Sequence, residues 1–308
     1  MRVFFDRAPL PEALPELDDA HEVTGPDQAE WPTAHAAIAG PVRYDGPHMD
    51  LAPDLRIVAR TGIGVDAVDL DAATERGVVV CNTPDGPTIS TAEHAIGLLF
   101  AAAKRIDRTQ ADLRAATGDY TGRSPAIELA GLTIGLVGYG RIGRRVAQIA
   151  EGIGMEVVVH DPFAEVDRRT AELDELLASS DVVSLHLPLT DDTRHLMDAE
   201  KLSLLSEGTI LVNCARGGLV DHDALIAALD DGRVAVAALD VTDPEPLPPE
   251  HPLLHRDDAI ITPHVASATF AGRMKMSVAA IHAVNAVLAG RTPDHVCNPQ
   301  VLDRIGLT

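Results

Sequence analysis

Cysteine is scarce and badly spaced for bridging. Cys81, Cys214 and Cys297 are odd in number, far apart and free of any CxxC pair. That excludes a disulfide scaffold, makes a zinc site improbable and reads as reduced, cytoplasmic thiols. Long apolar runs are missing as well. The longest, Ala95–Ala103, falls far short of the roughly 20 residues a membrane helix needs. The N-terminal MRVFFDRAPLPEALPELDD turns acidic within a few residues and lacks the apolar centre of a signal peptide. Lysine occurs only three times, at Lys104, Lys201 and Lys275. Cations as a whole are outnumbered, 25 against 47 acids, for a net charge of −22. Such a surface repels polyanions, argues against nucleic-acid binding and favours solubility.

What remains is an ordinary globular composition, 46% hydrophobic and 23% charged, in 308 residues. This length suits two domains or one large barrel. Short apolar runs at Leu132–Val137, Glu156–His160, Asp181–Leu187, Thr209–Asn213, Val234–Asp240 and Ala259–Thr262 read as buried strands. Helical patterns lie between them at Arg141–Glu151, Leu173–Ser179, Ala199–Leu205 and His222–Asp231, with Asp198 and Asp221 as caps. The alternation predicts parallel βαβ units in a doubly wound sheet.

A shorter strand set, Val3–Asp6, Ala37–Ala39, Ile57–Arg60 and Val78–Cys81, precedes this block. A long helix at Thr91–Ile106, which Thr91 would cap, and another at Ser267–Ala289 bracket it. The expected fold is therefore α/β with two Rossmann-like doubly wound domains. The first is discontinuous, 1–97 with 270–308, and the second spans 98–269; two long helices join them, with the ligand cleft between the domains.

The segment Gly138-Tyr139-Gly140-Arg141-Ile142-Gly143 is a GxGxxG turn in its full context. A strand precedes it, a helix opens on it, and the next strand ends at Asp161, 18 residues beyond Gly143. Gly138 suits a tight turn, Gly140 a close pyrophosphate approach and Gly143 helix–strand packing, with the helix N-terminus facing the pyrophosphate. Asp161 would accept the adenosine ribose hydroxyls and repel a 2′-phosphate, favouring NAD over NADP. Arg168 and Arg169 stand near enough to reach such a phosphate instead.

Several ordered motifs carry a resemblance: RTGIGVDAVDLDAATERGVVVCNTP (Arg60–Pro84), ISTAEH (Ile89–His94), GLVGYGRIG (Gly135–Gly143), HLPLTDDTRHLM (His186–Met197), LVNCARGGLVD (Leu211–Asp221), ALDVTDPEP (Ala238–Pro246) and TPHVASAT (Thr262–Thr269). From about Leu55 to Pro299 the chain resembles the D-isomer-specific 2-hydroxyacid dehydrogenases, a family that includes D-3-phosphoglycerate dehydrogenase, glyoxylate/hydroxypyruvate reductase and D-lactate dehydrogenase. The first fifty residues match loosely.

The resemblance implies a catalytic trio of Arg216, Glu245 and His264. A guanidinium can orient the carboxylate and carbonyl of a 2-oxo acid, and an imidazole can exchange the hydroxyl proton. A carboxylate on the other ring nitrogen would fix the tautomer and favour the imidazolium. The Ile63–Gly64 amides would hold the substrate carboxylate, although those glycines equally describe a plain turn. Arg60 would add charge there, or pair with Asp66 or Asp69.

Arg141 and Ile142 would lie at the NAD pyrophosphate. Thr91, His186, Pro188 and Thr193 would lie near the cofactor, and Cys214, Ala215, Asp240 and Ser267 near the nicotinamide, with Arg216 and His264 facing it. His186 reads equally as a core residue. The family also implies a homodimer, with 105–129 as a candidate contact.

Departures matter too. Thr242 stands where many members carry an aromatic, which would widen or wet the loop before Glu245. Glu245 itself argues against formate oxidation, for which the family uses Gln. Arg43–Gly46 departs from the Arg-Ser pattern of phosphoglycerate enzymes, and the stretch beyond Gly290 is too short for an amino-acid-binding regulatory domain. The expected activity is interconversion of a D-2-hydroxy acid and its 2-oxo acid with NAD(H), on phosphoglycerate, hydroxypyruvate or glyoxylate. The alternatives are an NAD(H)-sensing corepressor-like protein and a phosphite-type dehydrogenase.

Overall fold

The computed structural model describes residues 1–40, 42–118 and 126–307. The chain divides into two compact units, Met1–Thr88 with Ala268–Thr308, and Ile89–Ser267. The division falls at 88/89 and 267/268, nine and two residues before the breaks expected at 97/98 and 269/270. Ala92, Ala95, Leu99 and Ala102 explain the first difference, because they pack into the second unit's core almost from the helix start.

The first unit is built on a parallel sheet of β1 (Arg2–Phe5), β2 (Glu22–Thr24), β3 (Ala36–Ala39), β4 (Ile57–Arg60) and β5 (Val79–Cys81), ordered β2-β1-β3-β4-β5. Successive side chains leave opposite faces of a strand, so each face acquires its own core. Val3, Phe5, Ile38, Ile57 and Val79 pack with Ile281, Val284 and Val287 of the helix Phe270–Leu288. Phe4, Ala37, Val58 and Val80 pack with Trp31, Tyr44 and Met49. Trp31 stacks on His48 at 4.8 Å between centroids and donates its Nε1 hydrogen to the His48 carbonyl.

The second unit holds seven parallel strands: β6 (Thr133–Val137), β7 (Glu156–His160), β8 (Arg169–Thr170), β9 (Val182–Leu185), β10 (Thr209–Asn213), β11 (Val234–Leu239) and β12 (Ala259–Ile261). Their order is β12-β11-β10-β9-β6-β7-β8. The chain starts at the centre, runs outward to β8 and then reverses, so the strand order switches between β6 and β9. Loops at the carboxyl ends of strands flanking such a switch form the natural ligand crevice. One face packs against Val146, Ala147 and Ala150 of the helix Arg141–Gly152, the other against Leu176, Leu202 and Leu225.

The expected caps Asp198 and Asp221 accept the amides of Lys201 and Ala224 at 2.9 and 3.1 Å. Thr91 is not a cap. Its helix starts at Thr88 and runs to Lys104, which buries Thr91 in the interior. The segment 105–129 begins with the helix Ile106–Arg114, and residues 119–125 within it lie outside the described residues. No helix among the described residues is long and apolar enough to cross a membrane.

Candidate active site

The glycine turn after β6 is shaped by close approaches. Gly138 has φ +96°, and a Cβ there would sit 2.4 Å from the His186 carbonyl oxygen. A Cβ on Gly143 would sit 2.4 Å from the Gly138 oxygen, so the helix start presses directly on the turn. Gly140 is different: nothing lies within 4 Å of its missing Cβ. It also caps the helix Arg141–Gly152 without a side-chain acceptor. The first-turn amides therefore face open space in front of a bare backbone, the arrangement a pyrophosphate requires. Arg141 and Ile142 open that helix, and Ile142 leans into the core.

A cavity of about 550 Å³, partly open to solvent and mostly apolar, adjoins this turn, walled by Gly138, Asp161, Phe163, His186, Pro188 and Thr193 among others. Asp161 lies just beyond β7, which ends at His160, one residue short of the strand end expected. Its Oδ2 accepts the Tyr139 amide at 2.7 Å, and Oδ1 accepts those of Phe163 and Ala164 at 2.9 and 3.0 Å. Burial works against its ionisation, but the three amides outweigh it and hold the carboxyl below its ordinary range. Arg168 is committed elsewhere, to Glu151 at 2.7 and 2.9 Å and to Asp167 at 2.7 Å. Arg169 lies exposed in β8.

His186 follows β9 directly. It lines the cavity, its ring is fixed to the Ser184 hydroxyl at 2.8 Å, and burial pushes its pKa down to about 4. Thr193 shapes the adjoining loop by accepting the Thr190 amide and donating to the Pro188 carbonyl.

The three residues expected to do chemistry follow three adjacent strands. Arg216 lies just past β10, Glu245 in the loop after β11, and His264 just past β12. His264 and Glu245 are brought together, with Nδ1 and Oε1 2.5 Å apart. Both side chains are partly exposed, and Nε2 is the ring nitrogen left for a ligand. The His264 backbone is left-handed at φ +52°, an uncommon state for a residue with a side chain. Its amide is held by the carbonyls of Asp240 and Thr262 at 2.8 and 3.0 Å. Arg216 is half-buried, with Nη1 on the Ala215 carbonyl at 2.7 Å, and its own carbonyl is held by Asn213.

Gly217 ties this strand end to the next. A Cβ there would come within 2.0 Å of the Thr242 backbone carbon, so only glycine lets the loop carrying Arg216 touch the loop carrying Glu245. Thr242 is buried, donates its hydroxyl to the Pro244 carbonyl and presents its amide to Glu245 Oε2 at 3.5 Å. Beside it, a cavity of about 350 Å³, partly open, reaches Glu245.

Asp240 is the anchor of this corner. Its carboxylate accepts the Thr262 hydroxyl at 2.5 Å and the amides of Val265 and Ala266 at 2.9 and 2.8 Å. His94 Nε2 lies 3.3 Å away. Burial opposes its charge, but these donors hold its carboxyl low. Asp240 thus clamps both sides of His264. Sequence reasoning missed His94, Thr262 and Gly217. His94 lies 168 residues from its partner Thr262, and no local spacing could have joined them. Cys214, Ala215 and Ser267 occupy the same loop ends, and burial beside Asp240 pushes the Cys214 thiol far up.

In the first unit, Arg60 ends β4 and donates to the Thr61 and Ala39 carbonyls at 2.9 and 3.4 Å. Asp69, one of its suggested partners, caps the helix Leu70–Glu75. The Ile63 carbonyl accepts from Asn82, whereas the amides of Ile63 and Gly64 donate to no group among the described residues.

Comparison with known proteins agrees with this geometry. Residues 96–266, more than half the chain, match the NAD binding domain of the D-isomer specific 2-hydroxyacid dehydrogenases. A glyoxylate reductase of Aeropyrum pernix is 37% identical over 98% of this chain and 97% of its own length. A D-3-phosphoglycerate dehydrogenase of Archaeoglobus fulgidus is 43% identical over 75% of this chain, a stretch that spans only 45% of that relative. Among solved structures, a protein of Thermus thermophilus is 40% identical with a TM-score of 0.89, covering 96% of this chain and 100% of that one. An NADPH-dependent glyoxylate/hydroxypyruvate reductase of Sinorhizobium meliloti, solved with NADP and malonate, is 30% identical with a TM-score of 0.85 over 96% and 97%. The chain belongs to the D-isomer specific 2-hydroxyacid dehydrogenase family.

Proposed function

We propose that the protein is an NAD-dependent oxidoreductase interconverting a small D-2-hydroxy acid and its 2-oxo acid, with glyoxylate, hydroxypyruvate and the phosphoglycerate pair as the candidate substrates. The observation that carries this reading is the His264–Glu245 pair, with Nδ1 and Oε1 at 2.5 Å and both side chains partly exposed.

In this reading the bound nicotinamide supplies or accepts the hydride at C2. His264 Nε2 gives a proton to the carbonyl oxygen during reduction and takes one from the hydroxyl during oxidation. Glu245 keeps the Nδ1 proton in place, so the reacting nitrogen is always Nε2. Arg216 orients the carboxylate and carbonyl oxygen and offsets the anion's charge. The Ile63 and Gly64 amides, with Arg60, hold the substrate carboxylate.

NAD is the preferred cofactor in this reading because the Asp161 carboxylate would repel a 2′-phosphate, and Arg168, a cation that could offset it, is already matched by Glu151 and Asp167. Thr91, Gly138, Gly140, Arg141, Ile142, Gly143, His186, Pro188 and Thr193 would form the rest of its seat, with Cys214, Ala215, Asp240 and Ser267 at the nicotinamide end. The protein acts as a homodimer in this reading.

The test is NADH oxidation, followed by absorbance, over a panel of 2-oxo acids, with phosphite as a donor in the reverse assay. Turnover of at least one 2-oxo acid is expected. NADH binding with no turnover on any of them would leave a redox-sensing binding protein, and turnover of phosphite alone would replace the substrate class.

A further inference from the structure

The first unit has a small polar recess of its own. Its strand order reverses between β1 and β3, and the carboxyl ends of strands at such a reversal are where open α/β sheets take their ligands. A small recess of about 20 Å³, partly open to solvent, lies there. Its apolar wall includes Phe5 and Ile38, from the ends of β1 and β3, and its polar wall is Arg7, Thr61, Arg273 and Ser277.

The polar wall is organised. Arg7 Nη2 donates to the Thr61 hydroxyl at 2.8 Å, and that hydroxyl donates onward to the Ala39 carbonyl at 3.0 Å. Gly40 makes room for the arrangement: a Cβ there would fall 3.1 Å from Arg7 Cδ and Nε and 2.7 Å from Asp6 Oδ1. Arg273 enters from the first turn of the helix Phe270–Leu288.

Neither guanidinium has an ion-pair partner within 4.0 Å among the described residues, although acids outnumber bases 47 to 25 in this chain. The nearby carboxyl is Asp6, whose Oδ2 is spent on the amides of Gly40 and Val42 and the Tyr44 hydroxyl. Burial raises its pKa, which weakens its opposition to an incoming anion. Two forked cations, the Ser277 hydroxyl and a partly apolar wall make a seat for an oxyanion.

We propose that this recess binds one carboxylate or phosphate group of a small molecule. The group belongs either to the far end of the 2-oxo acid, a case that rests on the function proposed above, or to a separate small effector.

Isothermal calorimetry with inorganic phosphate, on protein saturated with NAD so that the glycine turn is filled, tests the site. Saturable binding is expected, weakened about tenfold or more by Arg7→Ala and by Arg273→Ala and less by Arg7→Lys. Arg2→Ala, which removes an exposed cation paired with Glu22, should leave it unchanged. Retained NAD affinity in each variant controls for folding. If wild-type protein binds no phosphate saturably, or if both alanine variants bind it as the wild type does, the proposal fails.

Steady-state kinetics separate the two sources. If the group is the substrate's own, Arg7→Ala raises KM about tenfold for a 2-oxo acid with a second acidic group and spares glyoxylate. If it belongs to an effector, both KM values stay level and the response of the rate to added phosphate disappears. Phosphate binding lost in the variants, in a protein that turns over no 2-oxo acid, would uphold the site while ending the enzymatic reading.

Discussion

His264 is held in a backbone state that costs free energy, between two amide clamps, with its ring locked onto Glu245. Such investment in one side chain is what a proton-transfer group requires. His264→Ala should lower kcat about 10²- to 10⁴-fold, with NADH affinity, read by fluorescence titration, close to the wild type. A kcat within threefold of the wild type, on the order expected of a bystander, would remove His264 from the chemistry. Asp161 answers a different question. Asp161→Ala removes the acceptor proposed for the ribose and should narrow the preference for NAD over NADP in kcat/KM by about tenfold. An unchanged ratio would mean that discrimination resides in another residue. These residues were legible in the sequence because each sits in a short motif. The amide shell around Asp161 was not legible, since Tyr139 reaches it only through the fold.

The structural elements set how far such motifs could be read. Strands β1, β4, β7 and β10 are apolar and largely buried, so their runs stand out in the sequence. The edge strands β2 and β8, Glu22–Thr24 and Arg169–Thr170, were invisible. They are two or three residues long and mostly exposed, and their pairing is decided by a neighbour rather than by their own composition. The helix at Thr88 was read three residues late because Thr91 looks like a cap, yet its side chain is buried inside the first turns.

At the same scale, Gly217 joins the end of β10 to the loop after β11 by backbone contact. Gly217→Ala should destabilise the protein by about 1–3 kcal/mol, measured by urea unfolding, and should lower kcat as well as raise KM. Loss of stability with normal kinetics would show that the contact serves the fold alone. Asp240, tying β11 to the turn around His264, is stabilised in its charged form. The stability it contributes is present above its unfolded value of about 3.9 and lost as pH falls through its lower folded value. Asp240→Asn should flatten that acid limb of the unfolding curve.

Across the whole molecule, buried histidines add a slope at milder pH. Burial lowers the pKa of His186 to about 4, and also lowers those of His48 and His222. In an unfolded chain the imidazoles take up protons near pH 6.5, before the folded ones do. Stability is therefore complete above about pH 6.5 and declines as pH falls toward 4. The melting temperature should drop between pH 7 and 5, and His186→Asn should shrink that drop; an equal slope in the variant would assign it to other groups. The two sheets themselves, one ordered β2-β1-β3-β4-β5 and one with its switch between β6 and β9, follow the parallel doubly wound pattern that the apolar runs announce. The strand order within each was not written in those runs, because pairing depends on which loops can cross and not on local composition.

The first unit closes on residues far down the chain: Ile281, Val284 and Val287 complete one face of its sheet, and Asn298 accepts the Val80 amide at 2.8 Å. During synthesis, therefore, the strands of this unit cannot finish their core until residues 281–298 have been made, whereas Ile89–Ser267 is a continuous stretch that can collapse on its own as it leaves the ribosome. The second-made part of this protein is the first to be able to fold, and the N-terminal third must wait, half covered, for its missing helix.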